Sequence, residues 1–475
     1  MIKNIIPIGL MILPVTLLII FNKKFTFYKL SFKKIIILFV TSILIFFFSI
    51  LLINNTKNNK GYTTYKLYYE INSPVLSANK LGLITTMRLD LKRIIFGFKE
   101  TINLTENIDV NNQSKEEVTY NTMNIDFDTL IENESNEEIK NIYTYFKNST
   151  PTNQNDYTGI FKGKNLIYIL AESFNPIAID KDLTPTLYKL YNEGFKFNNY
   201  YTPLFPVSTA DGEYMALTSL LPMEASSWSI YYSRNKYFPF VLGNEFKSLN
   251  YNTNSYHNHL YTYYDRYLTH KNFGYTFTAC GQGLDINCNV WPESDLDMVN
   301  TTIDNYIDNT PFHTYYVTVS GHLRYNLNNY IANKNWNYVK DLEYSDAIKA
   351  YLACNLELDK ALEQILKKLE EKGILDDTVI AITPDHYPYG LTVDEMNELS
   401  NTTITEPFDK HKSAFIVWNN DTKPVTVDKY TTNLDVLPTL LNFFGIEYDS
   451  RLLIGKDALS NSSGLVTFSD RSFIT

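Results

Sequence analysis

The sequence predicts an α/β fold, a mostly parallel sheet with helices on both faces, preceded by two transmembrane helices. Three observations carry that expectation. Short apolar runs alternate with helical patterns from Lys164 onward, three of those runs lead into acid or histidine residues, and two uncharged stretches stand at the N-terminus. Strands alternating with helices imply parallel pairing, with the crossovers covering both faces of the sheet.

The N-terminal stretches come first. Between Lys3 and Lys23 lie 19 uncharged residues, and between Lys34 and Lys57 lie 22. About 20 apolar residues cross the hydrocarbon core of a bilayer, so both segments qualify. A signal peptide is the competing reading for the first, but no small-residue cleavage site follows it and a second span comes directly after. The intervening loop carries Lys23, Lys24, Lys29, Lys33 and Lys34, which by the positive-inside rule places it in the cytoplasm. Both ends of the hairpin then face outward, although Lys57, Lys60 and Lys66 reduce the asymmetry. The expectation is a multi-pass protein of the cell membrane whose main domain is extracytoplasmic.

Three regions follow from the pattern: a transmembrane hairpin at 1–57, a polar extracytoplasmic linker with helices at 58–160, and the main domain at 161–475. Within the linker, DLKRIIFGFKE (90–100) is amphipathic enough to lie along a membrane surface, or else to pack against the main domain. The 475 residues carry a net charge of −10. No basic stripe displaces counterions from phosphates, so nucleic acid is not an expected partner. Three cysteines cannot build a metal cage. Cys280 and Cys288 are close enough to bridge in an oxidising compartment, and two free thiols are the equal alternative.

The elements of the main domain read in order. NLIYIL (165–170) is a strand. TPTLYKLYNEG is a helix with Thr184 as N-cap, Pro185 at its first position and Gly194 at its end. TYYVTVS (314–320) is a second strand. A long helix follows over 346–372, with Leu352, Leu356, Leu362, Ile365, Leu366 and Leu369 on one side and Gly373 closing it. DTVIAIT (377–383) and SAFIVWN (413–419) are further strands.

In open α/β sheets the binding crevice lies beyond the carboxyl ends of the strands. The strand at 165–170 leads into Glu172, that at 314–320 into His322, and that at 377–383 into Asp385 and His386. One polar strand end means little, whereas three in a chain of seven histidines form a constellation. Between the first two strands, Thr209 and Asp211 precede an apolar helical pattern (Tyr214, Met215, Leu217, Leu220, Leu221). A Thr at a helix start is ordinarily an N-cap. The same position feels the positive end of the helix dipole, which favours an alkoxide and any phosphate bound there. A divalent cation on Glu172, Asp385 and His386 would strengthen that effect and make Thr209 a nucleophile.

As an ordered set, the glutamate at the first strand end, the segment VSTADGEY, the Gly-His pair and the Asp-His-Tyr triplet resemble the lipoteichoic acid synthase family. That family is a branch of the alkaline phosphatase/sulfatase superfamily. NLDVLPTLLNFFGI (433–446) looks like the superfamily's closing helix, and the resemblance covers roughly 70–459. It implies an alkaline phosphatase/sulfatase-like fold and a metal-dependent phosphoglycerol transferase. Glu172, Thr209, Asp385 and His386 match the family's manganese ligands, with Thr209 also the nucleophile.

His322 matches a histidine of the substrate pocket, and in the transferase reading it is expected to steer protons. Arg266 matches the arginine that grips the glycerophosphate group, a role its fork of donors suits. A surface ion pair is its bland alternative. Tyr264 stands where many members carry a tryptophan, keeping an aromatic wall of altered shape, and Ser208 stands where some relatives have a basic residue. Implied with the family are one divalent cation, Mn²⁺ first by its ligand set with Mg²⁺ or Zn²⁺ as alternatives, a phosphatidylglycerol-type donor, and a glycolipid or polyglycerolphosphate acceptor. The other readings are a phosphodiesterase or sulfatase-type hydrolase and a non-enzymatic relative that binds envelope polymers. VSTADGEY lacks the Cys/Ser-x-Pro-x-Arg pattern of sulfatases. A glutamate buried without a partner is costly, so Glu172 is expected to end its strand on a metal.

Overall fold

The computed structural model describes residues 31–57, 63–70, 74–97, 118–223 and 229–475. The chain forms two compact units, Met1–Val110 and Asn111–Thr475.

In the first unit, Phe32–Asn54 is one helix of 23 residues with exposed apolar side chains, including an 18-residue stretch of mean hydropathy 3.1. At about 1.5 Å per residue it is long enough, and by composition apolar enough, to cross a bilayer. It coincides with the second expected span. The first, between Lys3 and Lys23, lies outside the described residues, as does most of the lysine-rich loop. Three shorter helices follow, Thr64–Tyr69, Pro74–Leu81 and Leu83–Phe96. The last exposes Leu91, Ile94, Ile95 and Phe96 while burying Leu89 and Arg93, the two-sided character expected of the 90–100 stretch.

The second unit is built on a ten-stranded sheet. Its strands are β1 (Asn165–Ala171), β2 (Phe195–Tyr201), β3 (Asn252–Leu260), β4 (Thr276–Cys280), β5 (Gly283–Leu284), β6 (Phe312–Val317), β7 (Thr378–Pro384), β8 (Lys412–Ser413), β9 (Ile416–Trp418) and β10 (Val425–Thr432). They lie in the order β10-β2-β9-β7-β1-β6-β3-β4-β5, with β8 paired to β2. The central run from β7 to β5 is parallel throughout. Within this sheet, only β8 and β9 pair antiparallel among the described residues. They are the pieces of the single strand expected at 413–419, interrupted at Ala414 and Phe415.

Alternation along β1 explains its unbroken apolar run. Leu166, Tyr168 and Leu170 pack on one face with Leu217 and with Leu437 and Leu440 of the Asn433–Phe444 helix. Ile167, Ile169 and Ala171 pack on the other with Leu358, Leu362 and Ile365 of the Asp346–Glu371 helix. Successive side chains point to opposite faces, so a strand covered on both sides must be apolar at every position. Thr184 precedes the Pro185–Glu193 helix as expected, but its hydroxyl bonds to Ala178 O and Asp180 O rather than capping the helix. Residues 118–160 belong to this same unit, with Asn121 bonded to Tyr448 and Asn155 to Asp457.

Candidate active site

Parallel register builds the centre of the site. Ala171 at the end of β1 pairs with Pro384 at the end of β7, so Glu172 and Asp385, the next residue on each strand, fall side by side. Ligand atoms of Glu172, Asp385 and His386 all lie within 4.8 Å of one another, and all three residues are buried. Two glycines let other segments close on this point. A Cβ at Gly321 would sit 2.0 Å from Glu172 O, and one at Gly212 would sit 2.0 Å from Asp385 O. Gly212 therefore lets the Thr209–Thr218 helix rest on the Asp385 backbone, and Gly321 lets the loop after β6 rest on that of Glu172.

That helix carries Thr209 into the cluster. The Thr209 hydroxyl lies 3.3 Å from Glu172 Oε2 and 3.3 Å from His386 Nε2. Thr209 occupies the first helical position, Ser208 occupies the cap, and neither side chain caps a backbone N–H. Ser208 and Ser173, which flank the cluster, both adopt left-handed φ values of 37° and 54°. Strain of this kind persists only where the surroundings impose it.

The donor set fits a metal ion. Asp385 Oδ1 accepts the backbone N–H groups of Ser173 and His386. Among the described residues its Oδ2 is buried without a hydrogen-bond partner, although His386 Nε2 lies 3.2 Å away. Burial and the neighbouring Glu172 charge push the Asp385 carboxyl up to about 7. His386 Nδ1 donates to Tyr387 O at 3.0 Å, so the lone pair on Nε2 faces Glu172 and Thr209. A second hydrogen bond that fixes the tautomer in this way is the usual support of a ligating imidazole.

Beside the cluster, a narrow cavity is lined by Glu172, Thr209, His257, His259, Arg266 and His322, among others. His322 Nδ1 donates to Leu323 O at 2.6 Å, and burial lowers its pKa. Arg266 opens the Arg266–Asn272 helix and is fully buried, which excludes the surface ion pair. Its Nε and Nη2 both donate to Glu213 Oε2, at 3.0 and 2.8 Å, and its Nη1 donates to His257 Nε2 at 3.0 Å. Tyr264 covers the Arg266 guanidinium at 5.1 Å from its ring centre, and the ring that lines the cavity is its neighbour Tyr263.

Sequence reasoning had not singled out Glu213, His257, His259 or Glu293. Glu213 is held by Arg266 and by His270 at 2.8 Å. Burial raises its pKa, but Arg266 and His270 outweigh burial and bring it to about 2. The signal for Glu213 was present, since it lies four residues after Thr209 and so one turn along the same helix. Cys280 and Cys288 form a disulfide, closing the loop ahead of Trp291 and Glu293. A larger cavity of about 760 Å³, bordered by Asn175, Lys196 and Lys412, contains none of the cluster residues.

The sulfatase family model matches residues 164–446. Lipoteichoic acid synthase 2 of Bacillus subtilis is 25% identical over 374 residues, covering 71% of this chain and 54% of that protein. The lipoteichoic acid synthase of Staphylococcus saprophyticus is 27% identical over 360 residues, with the same two coverages of 71% and 54%. The chain thus spans about half the length of the curated relatives it matches. Among solved structures, the lipoteichoic acid synthase LtaP from Listeria monocytogenes aligns with a TM-score of 0.58 at 22% identity, over 69% of this chain and 83% of that one. An alkaline phosphatase superfamily protein from Vibrio parahaemolyticus aligns with a TM-score of 0.51 at 20% identity, over 68% and 77%. Both share the fold.

Proposed function

This chain belongs to the sulfatase family, and from that premise we propose that it is a phosphoglycerol transferase anchored in the cell membrane. It moves glycerophosphate from a phosphatidylglycerol-type lipid, through Thr209, to a hydroxyl of a glycolipid or polyglycerolphosphate acceptor. The observation that carries this reading is the Thr209 hydroxyl, which caps no helix and instead lies 3.3 Å from both Glu172 and His386. The similarity to lipoteichoic acid synthases supports the donor and acceptor classes. The helix Phe32–Asn54 supports membrane attachment, and the lysines that precede it in the sequence are the ground for a catalytic domain outside.

Glu172, Thr209, Asp385 and His386 would hold one divalent cation, Mn²⁺ by preference for mixed carboxylate, imidazole and hydroxyl donors. When bound, it supplies positive charge that favours the Thr209 alkoxide and offsets charge on phosphorus. Thr209 Oγ1 forms a bond to phosphorus while the bond to the diacylglycerol oxygen breaks, leaving phosphoglycerol on threonine. The acceptor hydroxyl then takes the group and frees Thr209. Arg266 has five N–H donors, of which Glu213 and His257 engage three. Two remain to bind phosphate oxygens in the cavity, held in orientation by the other three. His322, with its proton committed to Leu323 O, offers the Nε2 lone pair to a substrate hydroxyl.

The test is to incubate the purified full chain with fluorescent phosphatidylglycerol and Mn²⁺ and to follow diacylglycerol and glycerophosphate products. Thr209→Ala and Thr209→Asn should abolish turnover, a loss of several orders of magnitude, with little change in melting temperature. Thr209→Ser should keep part of it. A Thr209→Asn protein releasing diacylglycerol near the wild-type rate would return Thr209 to a capping role.

A further inference from the structure

We propose that His259, oriented by Glu293, is the proton carrier of this cavity. It protonates the departing lipid oxygen in the first half-reaction and takes the acceptor hydroxyl's proton in the second. The proposal rests on the transferase reading above.

Three imidazoles line the cavity around Thr209, and their bonding separates them. His257 has both nitrogens engaged, Nδ1 on Val317 O at 3.0 Å and Nε2 on Arg266. Burial, and then the Arg266 charge, hold its pKa well below the usual value. His322 commits Nδ1–H to a backbone carbonyl. Neither of these rings bonds to a carboxylate. His259 does, donating from Nδ1 to Glu293 Oε1 at 2.7 Å. A carboxylate at that nitrogen fixes the tautomer, leaves Nε2 for the substrate, and compensates the imidazolium that forms when Nε2 takes a proton.

Glu293 is built for that partner. It is 1% exposed, and its second oxygen has no hydrogen-bond partner among the described residues. An isolated buried carboxylate is costly, and a charge beside it offsets the cost. Its backbone carbonyl is fixed by Asn258 Nδ2 at 3.2 Å and Ser320 Oγ at 3.1 Å. The His259 ring is held between Trp291 and Tyr263, with centroids 4.8 and 5.0 Å away. The His259 side chain remains 18% exposed, which leaves Nε2 a route to substrate and solvent. Besides Glu293, the titratable and charged groups that line the same cavity, among the described residues, are His257, His322, Tyr263, Arg266 and Glu172.

The protons balance over a cycle. As the Thr209 alkoxide bonds to phosphorus and the diacylglycerol oxygen leaves, the proton on His259 Nε2 passes to that oxygen. As the acceptor oxygen bonds to phosphorus and Thr209 Oγ1 leaves, the acceptor's proton returns to His259 Nε2. His259 is then the catalytic residue and Glu293 the positioning residue.

The experiment compares two donors on the full chain with Mn²⁺. Phosphatidylglycerol has an alcohol leaving group that needs an acid, whereas a p-nitrophenyl ester of glycerophosphate has one that does not. His259→Asn should slow diacylglycerol release by about 10²- to 10⁴-fold and remove the alkaline limb of its kcat profile. The pre-steady-state burst of p-nitrophenol should slow by roughly tenfold or less, far below the general-acid range, with metal content and melting temperature retained. Glu293→Gln should show the same substrate-selective loss to a smaller extent. Equal losses on the two donors, or an unchanged rate on the lipid, would overturn the acid while leaving the transferase reading in place. A wild-type protein that turns over neither donor would remove that reading, and the acid with it.

Discussion

Two buried acid clusters meet the Thr209–Thr218 helix one turn apart, one at Thr209 and one at Glu213, and they solve the same problem in opposite ways. Glu213 is 0% exposed, and the chain itself supplies its cation through Arg266, with His270 on its other oxygen. Its pKa falls to about 2 against the pull of burial. Asp385, 1% exposed, faces Glu172, and its Oδ2 has no hydrogen-bond partner among the described residues. Its pKa rises to about 7, driven by burial and by that neighbouring charge. The lesson is that burial alone does not decide a carboxylate's state; the nearest charge does. Glu213 has its cation built into the chain, whereas the facing acids Glu172 and Asp385 form a set that fits a cation from outside.

Breaking the balanced cluster should cost most. Arg266→Ala leaves Glu213 charged and buried, and should lower unfolding free energy by about 3–5 kcal/mol, measured by chemical denaturation of the full chain. A loss below about 1 kcal/mol, the scale of an exposed pair, would mean that Glu213 is not held by Arg266. Acid should reveal the same interaction more gently. Glu213 titrates near 2 in the folded chain against an ordinary 4.5, so the folded state binds this proton less readily than the unfolded one. Its contribution, on the order of 3 kcal/mol, is fully present above pH 4.5 and is lost as the pH falls toward 2. Glu213→Gln should flatten that part of the stability curve, and an unchanged curve would argue against the linkage.

The opposite cluster should yield the smallest effect. Asp385→Asn in chelator removes one of two crowded charges, so it should be no less stable than the parent to within about 1 kcal/mol. A loss as large as that of Arg266→Ala would show that the two clusters do not differ in kind.

The cluster of Glu172, Asp385 and His386 was more legible in the sequence than the balanced one, for a physical reason. Glu172, Asp385 and His386 directly follow apolar runs, and parallel register then places strand ends together without further information. Thr209 was legible from its helix start, although its hydroxyl turns out not to cap. Arg266 and Glu213 stand 53 residues apart, and His259 and Glu293 34 apart, so their pairing depends on tertiary packing that no local pattern encodes. The fold was similarly uneven. β1 and β7 are continuous apolar strands, whereas β2 (FKFNNYY) and β3 (NTNSYHNHL) are rich in Asn and Tyr and show no clean apolar alternation. The strand expected at 314–320 lies at Phe312–Val317, because His313 is buried inside it on Tyr275.

Metal binding tests the contrast most directly. The full chain, stripped with chelator and dialysed against Mn²⁺, should retain one metal per chain by elemental analysis and melt at a higher temperature than the stripped protein. Glu172→Ala and Asp385→Ala should retain none and show no metal-dependent rise, while their metal-free forms stay folded. Full stoichiometry in both variants, or no binding by the parent, would contradict the assignment of Glu172, Asp385 and His386 to a metal.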